Sequence, residues 1–193
     1  MIPVFVTTFG RYSMLEKCVA SLERFDFDVT VVDNTKNGNE FREQAPWRLG
    51  LVPHYRPYVV CDEDIEIDPD CPYDLVEQLL DFSWQYPHKV GLQIRTDDVP
   101  EVARYSYSLR WERSLNRRQG ASPAIIPAEV DTHFAMYRTP FNPGICGVRL
   151  AAPYQCRHLP WYNEEFTEEE IDYYKRTGAE WARTHSAGEL CES

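Results

Sequence analysis

The sequence predicts an α/β fold: one domain with a mostly parallel central sheet flanked by helices. Two observations predict it. Short apolar runs alternate with amphipathic stretches along the first hundred residues, and acidic or glycine-bearing turns separate them. The 193 residues also suit a single domain with a core of ordinary size.

The elements follow in order. Residues 3–7 (Pro-Val-Phe-Val-Thr) read as a buried first strand. Thr8-Phe9-Gly10-Arg11-Tyr12-Ser13 is a turn, and Ser13 with Glu16 has the spacing of a capping box. Leu15, Val19 and Leu22 then recur at helical spacing. Residues 28–32 (Asp-Val-Thr-Val-Val) form a second strand that runs into Asp33-Asn34-Thr35. Strand, helix and strand make a β-α-β unit, which implies parallel strands with a right-handed crossover.

Pro46, Gly50, Pro53 and Pro57 keep residues 35–56 mostly loop. A third strand, Tyr58-Val59-Val60-Cys61, leads straight into Asp62-Glu63-Asp64. Asp74 to Trp84 is helical, and Val90 to Ile94 is a fourth strand. Part of 104–118 reads as helix, and Glu129 to Tyr137 as a strand or a strand edge. Thr167-Glu168-Glu169-Glu170 is a second capping box, opening a helix that Gly178 should end.

Composition narrows the function classes. The net charge of −11 argues against general attraction to nucleic acid or to an anionic membrane. One segment breaks the trend: Arg104 to Arg118 holds five arginines and a single acid, Glu112. No apolar run reaches the ~18–20 residues of a membrane span, and Met1 to Val6 lacks the basic leader of a signal peptide. None of the six cysteines forms a Cys-x-x-Cys pair, so they read as reduced thiols and the expected location is cytoplasmic.

Three features carry chemistry. Asp62 and Asp64 follow an apolar strand, and strand alternation points both to one side with Glu63 away from them. Two carboxylates together suit a hard divalent cation such as Mg²⁺ or Mn²⁺. In an open parallel sheet this is also where ligands bind, beyond the carboxyl ends of the strands. The Thr8–Arg11 turn comes second. Its backbone N–H groups at a helix start favour an anion, and Asp33 lies at the end of the neighbouring strand. The third is the run Cys156 to Tyr162, where the His158 imidazole is a candidate further cation ligand, a structural hydrogen bond being the other reading.

In order and spacing these pieces resemble the glycosyltransferases of the GT-A fold, related to the bacterial family 2 sugar transferases. Val6-Thr7-Thr8-Phe9-Gly10-Arg11 stands where that family has a strand ending near Pro-Thr-Tyr-Asn-Arg. Val31-Val32-Asp33-Asn34 matches its Val-Val-Asp-Asn, and Asp62-Glu63-Asp64 its Asp-x-Asp. Val130 to Arg138 and Arg157 to Tyr162 look like two of its later stretches.

The resemblance implies a GT-A (Rossmann-like) domain over 1–193. Residues 1–66 would form a nucleotide- and metal-binding half, 67–166 an acceptor-side half, and 167–193 a C-terminal helix and tail. It implies a metal-dependent enzyme moving a sugar from a nucleoside-diphosphate sugar to an acceptor hydroxyl. Thr8, Gly10, Arg11, Asp33, Asn34 and Glu63 would bind the nucleotide-sugar, and Asp62, Asp64 and His158 would hold Mn²⁺ or Mg²⁺. Asp131 is the first choice of general base, then Asp97 or Asp98. A glycan is the expected acceptor, with a modified nucleic acid, reached through Arg104–Arg118, as the other.

A haloacid-dehalogenase-like phosphatase shares the Asp-x-Asp spelling. Those enzymes carry it on the first strand with Thr or Val two residues after the second Asp, where Glu66 stands here. A catalytically inactive nucleotide-binding module of the same fold is the remaining alternative. The Gly-rich opening of the nucleotidylyltransferases is missing.

Overall fold

The computed structural model describes residues 1–35, 45–86, 89–100, 106–118, 120, 122–130, 133–138, 147–163 and 165–177. The chain runs β1 (Ile2–Thr8), α1 (Tyr12–Leu22), β2 (Phe27–Asp33), α2 (Ala45–Arg48), β3 (Tyr58–Asp62) and β4 (Ile65–Ile67). It continues with α3 (Leu75–Gln85), β5 (Lys89–Ile94), α4 (Ser106–Asn116), β6 (Ile125–Pro127), β7 (Phe134–Tyr137) and β8 (Val148–His158). A 3₁₀ turn over Leu159–Tyr162 and α5 (Glu168–Thr177) follow.

The strands form one sheet in the order β2-β1-β3-β7-β5-β8-β4, with β6 paired to β8. β2, β1 and β3 are mutually parallel, and β7 lies antiparallel between β3 and β5. β8 runs parallel to β5, while β4 and β6 oppose it. Five strands therefore share one direction, as expected of this α/β fold.

Alternation divides the core. Val4 and Val6, Val59 and Cys61, Phe134 and Met136, and Val90 and Leu92 lie on one face, in the main cluster with Leu22 of α1 and Leu75 and Leu79 of α3. Phe5, Tyr58, Val60, Ala135 and Tyr137 face the other way, against Trp47 of α2. The central strands are buried on both faces, which is why they read as unbroken apolar runs.

Four expectations change. Ser13 is not the N-cap of α1. Arg11 holds that position and no side chain caps it; Ser13 lies inside the first turn, where its N–H and hydroxyl both donate to Glu169 of α5. β7 is central rather than an edge. The long strand β8 has no counterpart in the sequence reading because Ala151-Ala152-Pro153 interrupts its pattern. The proline is accommodated where the β5–β8 register shifts, a bulge being one of the few places a strand tolerates it. β4 is three residues long, too short to show a period. Gly178 lies outside the described residues. Among the described residues no helix is long and apolar enough to cross a membrane.

Candidate functional site

β1 and β3 are neighbours, so the turns at their carboxyl ends meet. Thr7 lies in register with Asp62, and Thr8 with Asp33 on the other side. After Asp62 the chain does not continue as strand: Glu63 and Asp64 form the turn into β4. That turn breaks the alternation assumed from the sequence. Glu63, expected to point away, turns inward and is fully buried.

Glu63 Oε2 accepts from the backbone N–H of Phe9 (3.0 Å) and Arg11 (3.3 Å) and from the Thr8 hydroxyl. The Phe9 N–H and the Thr8 hydroxyl belong to the turn before α1, and the Arg11 N–H to its N-cap. The sequence assigned them to a diphosphate; the anion they hold is the chain's own carboxylate. Gly10, at φ 99°, makes the tight turn possible, and its N–H donates to Thr8 Oγ1 at 3.1 Å.

Arg11 lies across this turn, 5% exposed. Its Nε donates to Glu63 Oε1 at 2.7 Å and its Nη1 to Asp64 Oδ2 at 2.8 Å. Burial alone would lower the pKa of the guanidinium, but Asp64 and then Glu63 raise it overall. Burial would likewise raise Asp64, but Arg11 and then His158 hold its carboxyl well below the usual carboxylate range. A buried charge is tolerated only when paired in this way.

His158 ends β8, with its Nε2 3.4 Å from the same Asp64 Oδ2. The Leu159 N–H donates to the Asp64 carbonyl at 2.8 Å, and the Trp161 ring packs against the imidazole at 4.8 Å between centroids. Asp64 and His158, both named from the sequence as cation ligands, thus lie side by side. Sequence reasoning missed His133, which is 7% exposed and whose carbonyl accepts from the Asp62 N–H at 3.2 Å. Burial and then the Arg149 charge push the His133 pKa well below its ordinary value, against a hydrogen bond to the Leu92 backbone. The signal available was its place two residues after Asp131, in the stretch that carries part of the resemblance.

The residues as arranged do not fit the divalent ion that the resemblance implies. Asp64 Oδ2 is shared by Arg11 and His158, and a full positive charge already lies where an ion would approach it. Among the described residues, no three His, Cys, Asp or Glu side chains converge to hold a metal.

The other expected residues fall in several places. Asp33 is exposed at the end of β2, where its Oδ1 accepts from the Thr35 N–H and hydroxyl. Asn34 is buried, and its N–H donates to the Thr8 carbonyl at 2.9 Å. Asp97 and Asp98 belong to a separate ionic network. Asp97 pairs with Arg95; Asp98 pairs with Arg95 and Arg157 and accepts from the Tyr162 hydroxyl at 2.7 Å. Both arginines also hold the buried Asp68. Arg157 and His158 are successive on β8 and so point to opposite faces. Asp97 and Asp98 are thereby tied up away from Asp64. Asp131 and Arg104 lie outside the described residues. Arg113 donates to the Thr96 carbonyl and Arg118 to Glu129.

α5 covers the site. Tyr173 packs over the Arg11 guanidinium, 4.3 Å from its ring centroid, and touches Phe9 edge-on. Glu169 pins the start of α1 through Ser13.

No family model and no curated protein sequence matches the chain. Among solved structures it is similar to the mannosyltransferase PcManGT from Pyrobaculum calidifontis, solved in complex with GDP-Man and Mn²⁺. The two are 11% identical with a TM-score of 0.47, over 97% of this chain and 75% of that chain.

Proposed function

We propose that this chain is a glycosyltransferase that takes a nucleoside-diphosphate sugar and passes the sugar to an acceptor hydroxyl. One observation carries the reading: a buried cluster of Arg11, Glu63 and Asp64, flanked by the partly exposed His158, stands at the carboxyl ends of β1 and β3, next to Asp33. Ionisable groups buried together beyond the carboxyl ends of parallel strands mark ligand sites in such folds. The order of motifs in the sequence supports a nucleotide-sugar as the ligand.

In this reading Asp33 and Asn34 face the nucleoside, and its hydroxyl or imide groups donate to Asp33. Thr8, Gly10 and Glu63 fix the shape of the turn rather than touch phosphate. Arg11 is the cluster's cation. Turned from Asp64 towards the donor, its guanidinium would offer two parallel N–H donors to the diphosphate as charge builds on the leaving group. Asp131 remains the proposed base, since the chain at His133 already touches Asp62. The acceptor is a hydroxyl compound, a glycan first.

Calorimetry with UDP and GDP tests the donor half. Wild type should bind at least one of them, and Asp33→Ala should weaken that binding by about tenfold, or about 1.4 kcal/mol. No binding by wild type, or equal affinity in the variant, overturns the assignment. Binding without sugar transfer would favour the inactive nucleotide-binding module.

A further inference from the structure

The geometry points to Arg11 as the resident cation of Asp64: a divalent ion and the Arg11 guanidinium compete for the same carboxylate, and a divalent ion gains Asp64 only when Arg11 leaves it. Three observations carry this. The Arg11 Nη1 bond to Asp64 Oδ2, at 2.8 Å, takes the oxygen that also faces His158 Nε2. Arg11 is held there from two further sides, by Glu63 Oε1 at 2.7 Å and by the Tyr173 ring at 4.3 Å. It is also the only guanidinium or ammonium group that the described contacts bring to Asp64 or Glu63.

The electrostatics follow directly. Glu63 and Asp64 together carry two negative charges, and one guanidinium offsets one of them. A divalent ion added beside Arg11 meets full like-charge repulsion at a buried position, where screening by water is weak. With Arg11 removed, the same two carboxylates attract the ion, and the His158 imidazole is already in place beside Asp64. Arg11 thus sets the cation selectivity of the Glu63–Asp64 carboxylates. This holds whatever the chain transfers, so it stands apart from the function proposed above.

The test is Mn²⁺ alone, titrated by calorimetry into wild type, Arg11→Met and Arg11→Met/Asp64→Asn. The Met side chain keeps much of the length and removes the charge. Arg11→Met should bind Mn²⁺ at least about tenfold more tightly than wild type, and the added Asp64→Asn change should abolish that gain. Equal affinity in wild type and Arg11→Met, or a gain that survives loss of Asp64, overturns the proposal. Arg11→Met removes the guanidinium partner of the buried Glu63; if that variant does not fold, wild type alone decides. Paramagnetic broadening of the His158 ring signals, assigned with His158→Gln, should stay absent at submillimolar Mn²⁺. Broadening there would show the ion reaching Asp64 past Arg11 and would sink the idea.

Discussion

At Arg11, burial favours the uncharged form, and Asp64 and Glu63 more than reverse that preference. The opposite balance holds at His133. There burial and the Arg149 charge keep the imidazole neutral, and neither Asp64 nor the hydrogen bond to Leu92 restores the charge. The sign of the stability effect follows. The folded pKa of His133 lies below the unfolded value near 6.5, so its share of stability is complete above about pH 6.5 and is lost as pH falls below it. Urea denaturation at pH 7.5 and 5.5 should show wild type losing stability on acidification, and His133→Gln losing measurably less. An identical loss in both proteins would contradict this account of His133. At this scale the sequence named Asp64 and His158 together as cation ligands; the fold sets the two side chains 3.4 Å apart, but beside Arg11 rather than around an ion. The sequence was misleading for Glu63. Alternation holds only while a strand continues, and the Glu63–Asp64 turn ends it, so the middle acid swings into the α1 N-terminus instead of away. The ion pairs of Asp97 and Asp98 were not legible, because their partners, Arg95 and Arg157, come from strands that meet only in the folded sheet.

Among the elements, α5 shows how a local signal and a tertiary contact combine. Its capping box forms as written: the Glu170 N–H donates to the Thr167 hydroxyl at 3.2 Å, and the Thr167 N–H donates back to Glu170 Oε2 at 2.9 Å. The matching signal at Ser13 and Glu16 does not form a box, because Glu169 takes the Ser13 donors from outside the helix. Local spacing cannot reveal a competitor more than 150 residues away. The strap that α5 lays over Arg11 should therefore depend on its own cap. Thr167→Ala should cost the helix about 1 kcal/mol, read as faster amide exchange across Glu168–Thr177 with little change elsewhere. Exchange that is unchanged in α5 would mean that packing of Tyr173, and not the cap, holds the helix in place.

Over the whole molecule, the alternating strand and helix pattern was enough to predict a mostly parallel sheet, since β1 and β3 are buried apolar runs and β1 and β2 are joined by the expected helix. The far half was less legible. β8 carries a proline at its bulge, β4 spans three residues, and β7 inserts antiparallel between two strands distant in sequence. That insertion demands close packing at Gly91 of β5. A Cβ there would lie 2.7 Å from Val130 Cγ1 and 2.9 Å from the Phe134 carbonyl oxygen. Gly91→Ala should lower stability by about 1–3 kcal/mol, measured by urea unfolding. An unchanged midpoint would show that β5 and β7 have room to part. The same sheet brings the β1 and β3 turns together and so creates the site on which the functional reading rests. That reading is tested most directly by turnover. A panel of nucleotide-sugars, incubated with wild type and with Asp64→Asn, is assayed for release of the nucleoside diphosphate. Wild type should release it from at least one donor, faster when a hydroxyl acceptor is present, and Asp64→Asn should not. Phosphate release from simple monoesters, with no nucleotide-sugar consumed, would contradict the account.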